Sequence, residues 1–124
     1  MRQRLCILFL SLSFSLFAEK RALVIGIGEY PDVDYGWHAI NGDNDIELTQ
    51  TLLLNNGFTC NNICTLRNEQ ATYTSIIYAL KQLIHQSGQG DIVYIHFSGH
   101  GQQITDLNGD EEDGYDESWI PYDA

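Results

Sequence analysis

Positive charge is what this sequence of 124 residues has least of. Six Lys and Arg stand against seventeen Asp and Glu, a formal net charge of −11. Proteins that neutralise phosphates need clustered basic side chains, so a nucleic-acid partner is excluded and basic partners or bound cations are favoured. Cysteine is scarce too, at three residues, with Cys6 inside an N-terminal apolar run. That leaves Cys60 and Cys64, which either close a small disulfide or stay free thiols, and too few ligands nearby for a zinc site. Internal repeats and low-complexity tracts are missing. The one long apolar run, Leu5–Phe17, is shorter than the ~20 residues of a membrane span.

Arg2 and Arg4 precede that run and Ala18 follows it. The pattern predicts a secretory signal peptide over 1–18, although Leu16 is large for the position three before the cut. The expected product is an exported protein, periplasmic or secreted, free of the membrane after cleavage. Residues 19–124 then suffice for one domain, and a 44% hydrophobic content suits a packed core.

Asp91–Gly101 (Asp-Ile-Val-Tyr-Ile-His-Phe-Ser-Gly-His-Gly) organises the rest. A short apolar, β-branched and aromatic run that ends in glycine predicts a buried parallel strand. Ser98-Gly99-His100-Gly101 falls at its carboxyl end, where open α/β sheets carry their chemistry. An imidazole flanked by glycines is accessible, and histidine is the commonest general base.

Upstream, Arg21–Ile27 predicts a first strand. Its Gly26-Ile-Gly28 lacks the third glycine of a dinucleotide loop, because position 31 is Pro. A helix is expected from Asn44 as cap, with Glu47 completing a capping box, through Ile46, Leu52 and Leu53 to Asn55-Asn56-Gly57. Phe58–Leu66 predicts a second strand. Thr72 caps a second helix whose Tyr73, Ile76, Ile77, Leu80, Leu83 and Ile84 share one face. The result is a βαβαβ unit with a parallel sheet, which brings Asp45 and His100 to one edge if the first and third strands are neighbours.

Phe97-Ser-Gly-His-Gly-Gln102, Asp110-Glu-Glu-Asp-Gly-Tyr-Asp116, Pro121-Tyr-Asp123, Ala22-Leu-Val-Ile-Gly-Ile27, Asn44-Asp45 and Asn68-Glu-Gln-Ala-Thr72 occur in consistent order. Residues 20–124 thereby resemble the histidine-bearing part of the metacaspases, caspase-like cysteine peptidases of family C14. The resemblance implies a caspase-like three-layer sandwich, incomplete before the strand that carries the nucleophile. It makes His100 the base of a Cys–His dyad, gives the Gly101 N–H to an oxyanion hole, and puts Asp45 and Ser98 in a pocket selecting Arg or Lys. The implied partners are protein or peptide substrates with basic residues.

In that family the nucleophilic cysteine follows the next strand, in an Asp-Cys-Cys-His-Ser-Gly-like motif without a counterpart in these residues. This stretch alone is therefore expected to be inactive and to need the remaining C-terminal part of the peptidase domain. No cofactor is implied for the chemistry, and Ca²⁺ is implied as an activator, with Asp116 as a ligand. An EF-hand reading of Asp106-Leu-Asn-Gly-Asp110 fails, because the turn position is Glu111. The alternative is a non-catalytic caspase-like module that binds peptides, partners or calcium.

Overall fold

The computed structural model describes residues 18–31 and 36–124. The expected signal peptide lies outside the described residues except for Ala18. Three strands, β1 (Lys20–Gly26), β2 (Ile63–Arg67) and β3 (Ile92–Ser98), form a parallel sheet in the order β2-β1-β3. The first and third strands are neighbours, as the shared edge requires.

β1 is buried on both faces, and its alternation divides the core in two. Leu23, Ile25 and Ile27 pack against Ala71 and α2 (Tyr73–Gln86), through Ile76, Ala79 and Leu83. Ala22 and Val24 pack on the other side against Phe58 and α1 (Asp45–Asn55), through Ile46 and Leu53. Helix, sheet and helix make the three layers predicted for this chain. Leu23 and Ile25 are at most 1% exposed; truncating such a side chain to Ala costs ~2–5 kcal/mol.

Thr72 caps α2 as expected, its Oγ1 accepting the Ser75 N–H at 3.2 Å. The buried stripe of α2 is narrower than its periodicity suggested, since Tyr73 and Ile84 are exposed. Leu52 of α1 is exposed as well, and Leu53 alone of that pair faces the sheet. Asn44 is not the cap expected of it. It belongs to a 3₁₀ turn, Gly42–Asn44, that runs straight into α1, and its side chain makes no capping bond. β2 is shorter than the predicted strand because Cys60–Asn62 form another 3₁₀ turn.

The acidic segment departs most from expectation. Instead of one loop, it forms an antiparallel pair, β4 (Gly101–Thr105) and β5 (Tyr115–Trp119), with the acids crowded into the connection between them. Every residue of β4 is exposed, so hydrophobic alternation was too weak there to mark a strand.

At the amino edge of the sheet, Asp91 ties β3 to β1. Its carboxylate accepts the Glu19 N–H at 2.8 Å and the Gly88 N–H at 2.9 Å. Those bonds, Gly88 first, then Glu19, and the Arg21 charge hold the Asp91 pKa below its ordinary value. A carboxyl acidified by folding contributes stability above its unfolded pKa and loses it as pH falls through the folded one. Asp91→Asn should therefore lower stability at neutral pH and shrink the acid-induced loss below about pH 4. Urea denaturation at pH 7 and pH 3 checks this, and an acid loss of unchanged size would count against it.

Candidate functional site

The carboxyl edge of the sheet is assembled around a close backbone approach. The Ile27 N–H donates to Ser98 O at 2.8 Å, levelling the ends of β1 and β3. Gly42 is wedged between them: a Cβ there would lie 2.6 Å from Ile27 O and 2.6 Å from Ser98 O. Only glycine lets the turn before α1 sit this close, and that closeness delivers Asp45 to Ser98. The Ser98 hydroxyl donates to Asp45 Oδ2 at 2.6 Å across a separation of 53 residues.

Two other carboxylates flank Asp45 at the start of α1, where the helix dipole favours negative charge. Both pair with one residue. Arg67, at the end of β2, pairs with Asp43 at 3.9 Å and with Glu47. Along the chain Arg67 is remote from these motifs and is expected to lie away from them, but a parallel β2 carries it to the same edge. Among the described residues, no Lys or Arg pairs with Asp45.

His100 stands just past β3, partly exposed rather than packed among aliphatic side chains. Its Nε2 lies 2.8 Å from His38 O. Its ring centroid is 5.1 Å from that of Tyr30 and 5.3 Å from that of Trp37. The His100 N–H donates to the Tyr30 hydroxyl at 3.0 Å. Spacing along the chain offered no signal for Tyr30, Trp37 or the His38 carbonyl, which arrive on the irregular loop after β1.

Gly101 opens β4 and pairs in register with Trp119. The adjacent pair is main-chain bonded, Ile120 N–H to His100 O at 3.0 Å. Alternation along an antiparallel ladder makes Gly101–Trp119 a non-hydrogen-bonded pair, so the Gly101 N–H points out of the ladder. Beside it is a shallow depression of 370 Å³ lined by Phe97, Gly101, Glu117 and Trp119 among others. Phe97 and Trp119 are stacked, with centroids 4.7 Å apart.

Cys60 and Cys64 are free and exposed. They sit at the start of β2, the opposite end of the sheet from His100. Although Cys64 is open to solvent on its outer side, desolvation by the surrounding protein raises its thiol pKa above the ordinary value. Such a thiol is a poor nucleophile at neutral pH.

Asp106, Asp110 and Asp116 each offer a carboxylate oxygen at the far end of the β4–β5 pair, and these oxygens lie within 4.8 Å of one another. Asp106 accepts backbone N–H groups from Gly109 at 2.7 Å, Asn108 at 2.9 Å and Glu111 at 3.2 Å. The Gly109 bond leads in lowering its pKa, and the Glu111 and Asn108 bonds add to it against desolvation. Strand β4, not a helix, leads into this loop, so it is no EF-hand.

The wedge at Gly42 is testable without an activity assay. Gly42→Ala should destabilise the chain by about 1–3 kcal/mol through overpacking against two backbone segments. Gly88→Ala, whose Cβ would meet nothing closer than 4.0 Å, should stay within about 0.5 kcal/mol. Equal effects in urea denaturation would contradict the wedge.

Comparison with known proteins places this edge in context. The chain is 34% identical to Metacaspase-1A of Aspergillus fumigatus over 112 residues, 85% of this chain and 26% of that protein. It is 35% identical to Metacaspase III c of Phaeodactylum tricornutum over 113 residues, 84% of this chain and 32% of that protein. It thus spans about a quarter to a third of the length of these relatives. A crystal structure of a Geobacter sulfurreducens protein, 31% identical, superposes with a TM-score of 0.66 over 85% of this chain and 40% of its own. With the metacaspase peptidase C14 domain model matching residues 20–124 as well, the three-layer sheet and its carboxyl edge are those of a caspase-like fold, and the chain belongs to the metacaspase family.

Proposed function

We propose that this chain is the histidine-bearing part of an exported cysteine endopeptidase that cuts peptide bonds after Arg or Lys. The observation that carries the reading is a shared edge. Asp45 lies there without a cationic partner, hydrogen-bonded by Ser98, close in the fold to a histidine whose Nε2 meets a main-chain carbonyl. Export rests on the basic start and apolar run of residues 1–18.

A carbonyl oxygen can only accept, so the neutral His100 ring carries its proton on Nε2 and leaves the Nδ1 lone pair open. Nδ1 takes the thiol proton of a cysteine that family resemblance puts beyond residue 124. The thiolate attacks the peptide carbonyl, and the oxygen gains negative charge as the tetrahedral intermediate forms. The outward Gly101 N–H donates to that oxygen; one such donor is worth ~10²–10³ in rate. Collapse breaks the C–N bond, the Nδ1 proton goes to the leaving amine, and water then hydrolyses the thioester with His100 as base again. Specificity follows from charge. Arg67 occupies Asp43 and Glu47, so the carboxylate left for a substrate cation is Asp45.

The complete product of the gene, assayed with peptides bearing Arg, Lys or Asp before the cut bond, should cleave the first two and spare the third. His100→Ala should lower kcat by about 10²–10⁴, and Asp45→Asn should lower kcat/KM for Arg peptides about 10–100-fold. Cleavage after Asp, or full activity in His100→Ala, would reject the reading. A non-catalytic module is favoured only by the lack of a thiol near His100 among the described residues. An inert complete product that still binds Arg peptides would support it.

Calcium is the second part of the proposal. It takes six to eight oxygens at ~2.3–2.6 Å, and carboxylate oxygens within 4.8 Å of one another suit a shared cation. Asp116, with Asp106 and Asp110, would hold it, and its charge would relieve repulsion among them. Titration calorimetry of the chain with CaCl₂ should give heat that Asp116→Asn reduces at least about tenfold in affinity, since a ligand charge is lost. No heat from the wild type removes calcium from the reading.

A further inference from the structure

His100 needs more than a carbonyl partner. The carbonyl belongs to the loop after β1, the imidazole to the turn after β3, and something must keep those two segments in register. A tyrosine side chain spans the gap. Tyr30 leaves the β1 loop and puts its hydroxyl between two backbone groups of the other segment. It accepts the His100 N–H at 3.0 Å and donates to Ile120 O at 3.3 Å. Ile120 in turn donates its N–H to His100 O at 3.0 Å, so the phenol closes a ring of main-chain bonds around the histidine. Ile120 is itself buried.

The surroundings are cut to fit this phenol. A Cβ on Gly99 would lie 3.1 Å from the Tyr30 hydroxyl and 2.8 Å from Phe97 Cζ, so only glycine leaves room for both. Desolvation raises the Tyr30 pKa, outweighing the opposite pull of the His100 bond, so the hydroxyl keeps the proton it donates to Ile120. The phenol ring also packs with its centroid 5.1 Å from that of the imidazole.

We infer that Tyr30 is a positioning residue for His100, bolting the β1 loop to the His100–Ile120 pair so that Nε2 stays on the His38 carbonyl and Nδ1 faces the reaction. The inference rests on His100 being the base. Without the hydroxyl the fold's core is untouched, because Tyr30 only borders the buried cluster. The His100 backbone loses its tie to the loop, only the imidazole contact with His38 O is left to hold the two together, and the imidazole loses its fixed tautomer.

Nitrogen-15 NMR of the histidine-labelled chain at about pH 8.5, above the ordinary imidazole range, tests this. Wild type should show an Nε2–H pattern for His100, and Tyr30→Phe an averaged one at unchanged Tm. In the complete enzyme the same variant should lower kcat about 10–100-fold with little change in KM, as a misplaced catalytic group does. An Nε2–H pattern that survives in Tyr30→Phe overturns the positioning role and leaves the base reading intact. A wild type without that pattern overturns both. Should Tyr30→Phe fail to fold, the wild type still decides: slow exchange of the His100 amide supports the bond to Tyr30, and fast exchange refutes it.

Discussion

The structure turns on how closely two strand ends and one turn approach. β1 and β3 finish level because Ile27 N–H bonds Ser98 O, and Gly42 fills the gap beside that bond. Asp45 is three residues on from Gly42, so its distance from Ser98 is set by a backbone contact. Interiors at this density deform little, and strain at one atom is passed to its neighbours. A methyl group at Gly42 would move the start of α1, and the Asp45 carboxylate would travel with it. The Asp45–Ser98 bond and the packing of the fold therefore share one contact.

Charge is distributed over this edge with equal economy. Three carboxylates gather near the N-terminus of α1, a favourable place for anions, and a lone guanidinium lies among them. Arg67 divides itself between Asp43 and Glu47, and its fork geometry suits two acceptors better than a lysine would. Exposed pairs of this kind contribute little to stability. Their consequence is positional: the two flanking carboxylates share Arg67, and among the described residues no Lys or Arg pairs with the middle one. A net charge of −11 adds a long-range field that attracts cations.

Much of this was legible beforehand. The apolar run ending at Ser98, the three- and four-residue steps of α2 and the Thr72 cap each state their element locally, and strand, helix and cap formed where expected. Burial did not follow: β3 lies at an edge of the described sheet, not inside it, so Ile92, Val93 and Ile95 are exposed, as are Tyr73 and Ile84 of α2. Asp45 and Ser98 meet because parallel strands force them to. Arg67 was missed because nothing local in β2 says which edge its end reaches once the strands are ordered. Tyr30 was missed for a related reason, since its bonds run to residues 70 and 90 positions away through an irregular loop. Asn44 failed as a cap because the chain was already helical there, in a 3₁₀ turn that Gly42 permits. The β4–β5 pair was hidden by exposure: strands without a buried face leave no period in hydrophobicity.

That pair also connects the two ends of the site. β4 leaves directly from His100, and β5 returns to Ile120, the residue that Tyr30 ties to His100. At the far end the same strands carry Asp106 on one side and Asp116, opposite Ile104, on the other. Four residue steps along β5, roughly 14 Å at ~3.4 Å per residue, separate Asp116 from Ile120. A two-stranded ribbon on its own is marginally stable, so its pairing at Gly101–Trp119 depends on how firmly the distal end is closed. The Ile120–His100 bond and the Tyr30 tie therefore sit at one end of a ribbon whose other end is the acidic loop.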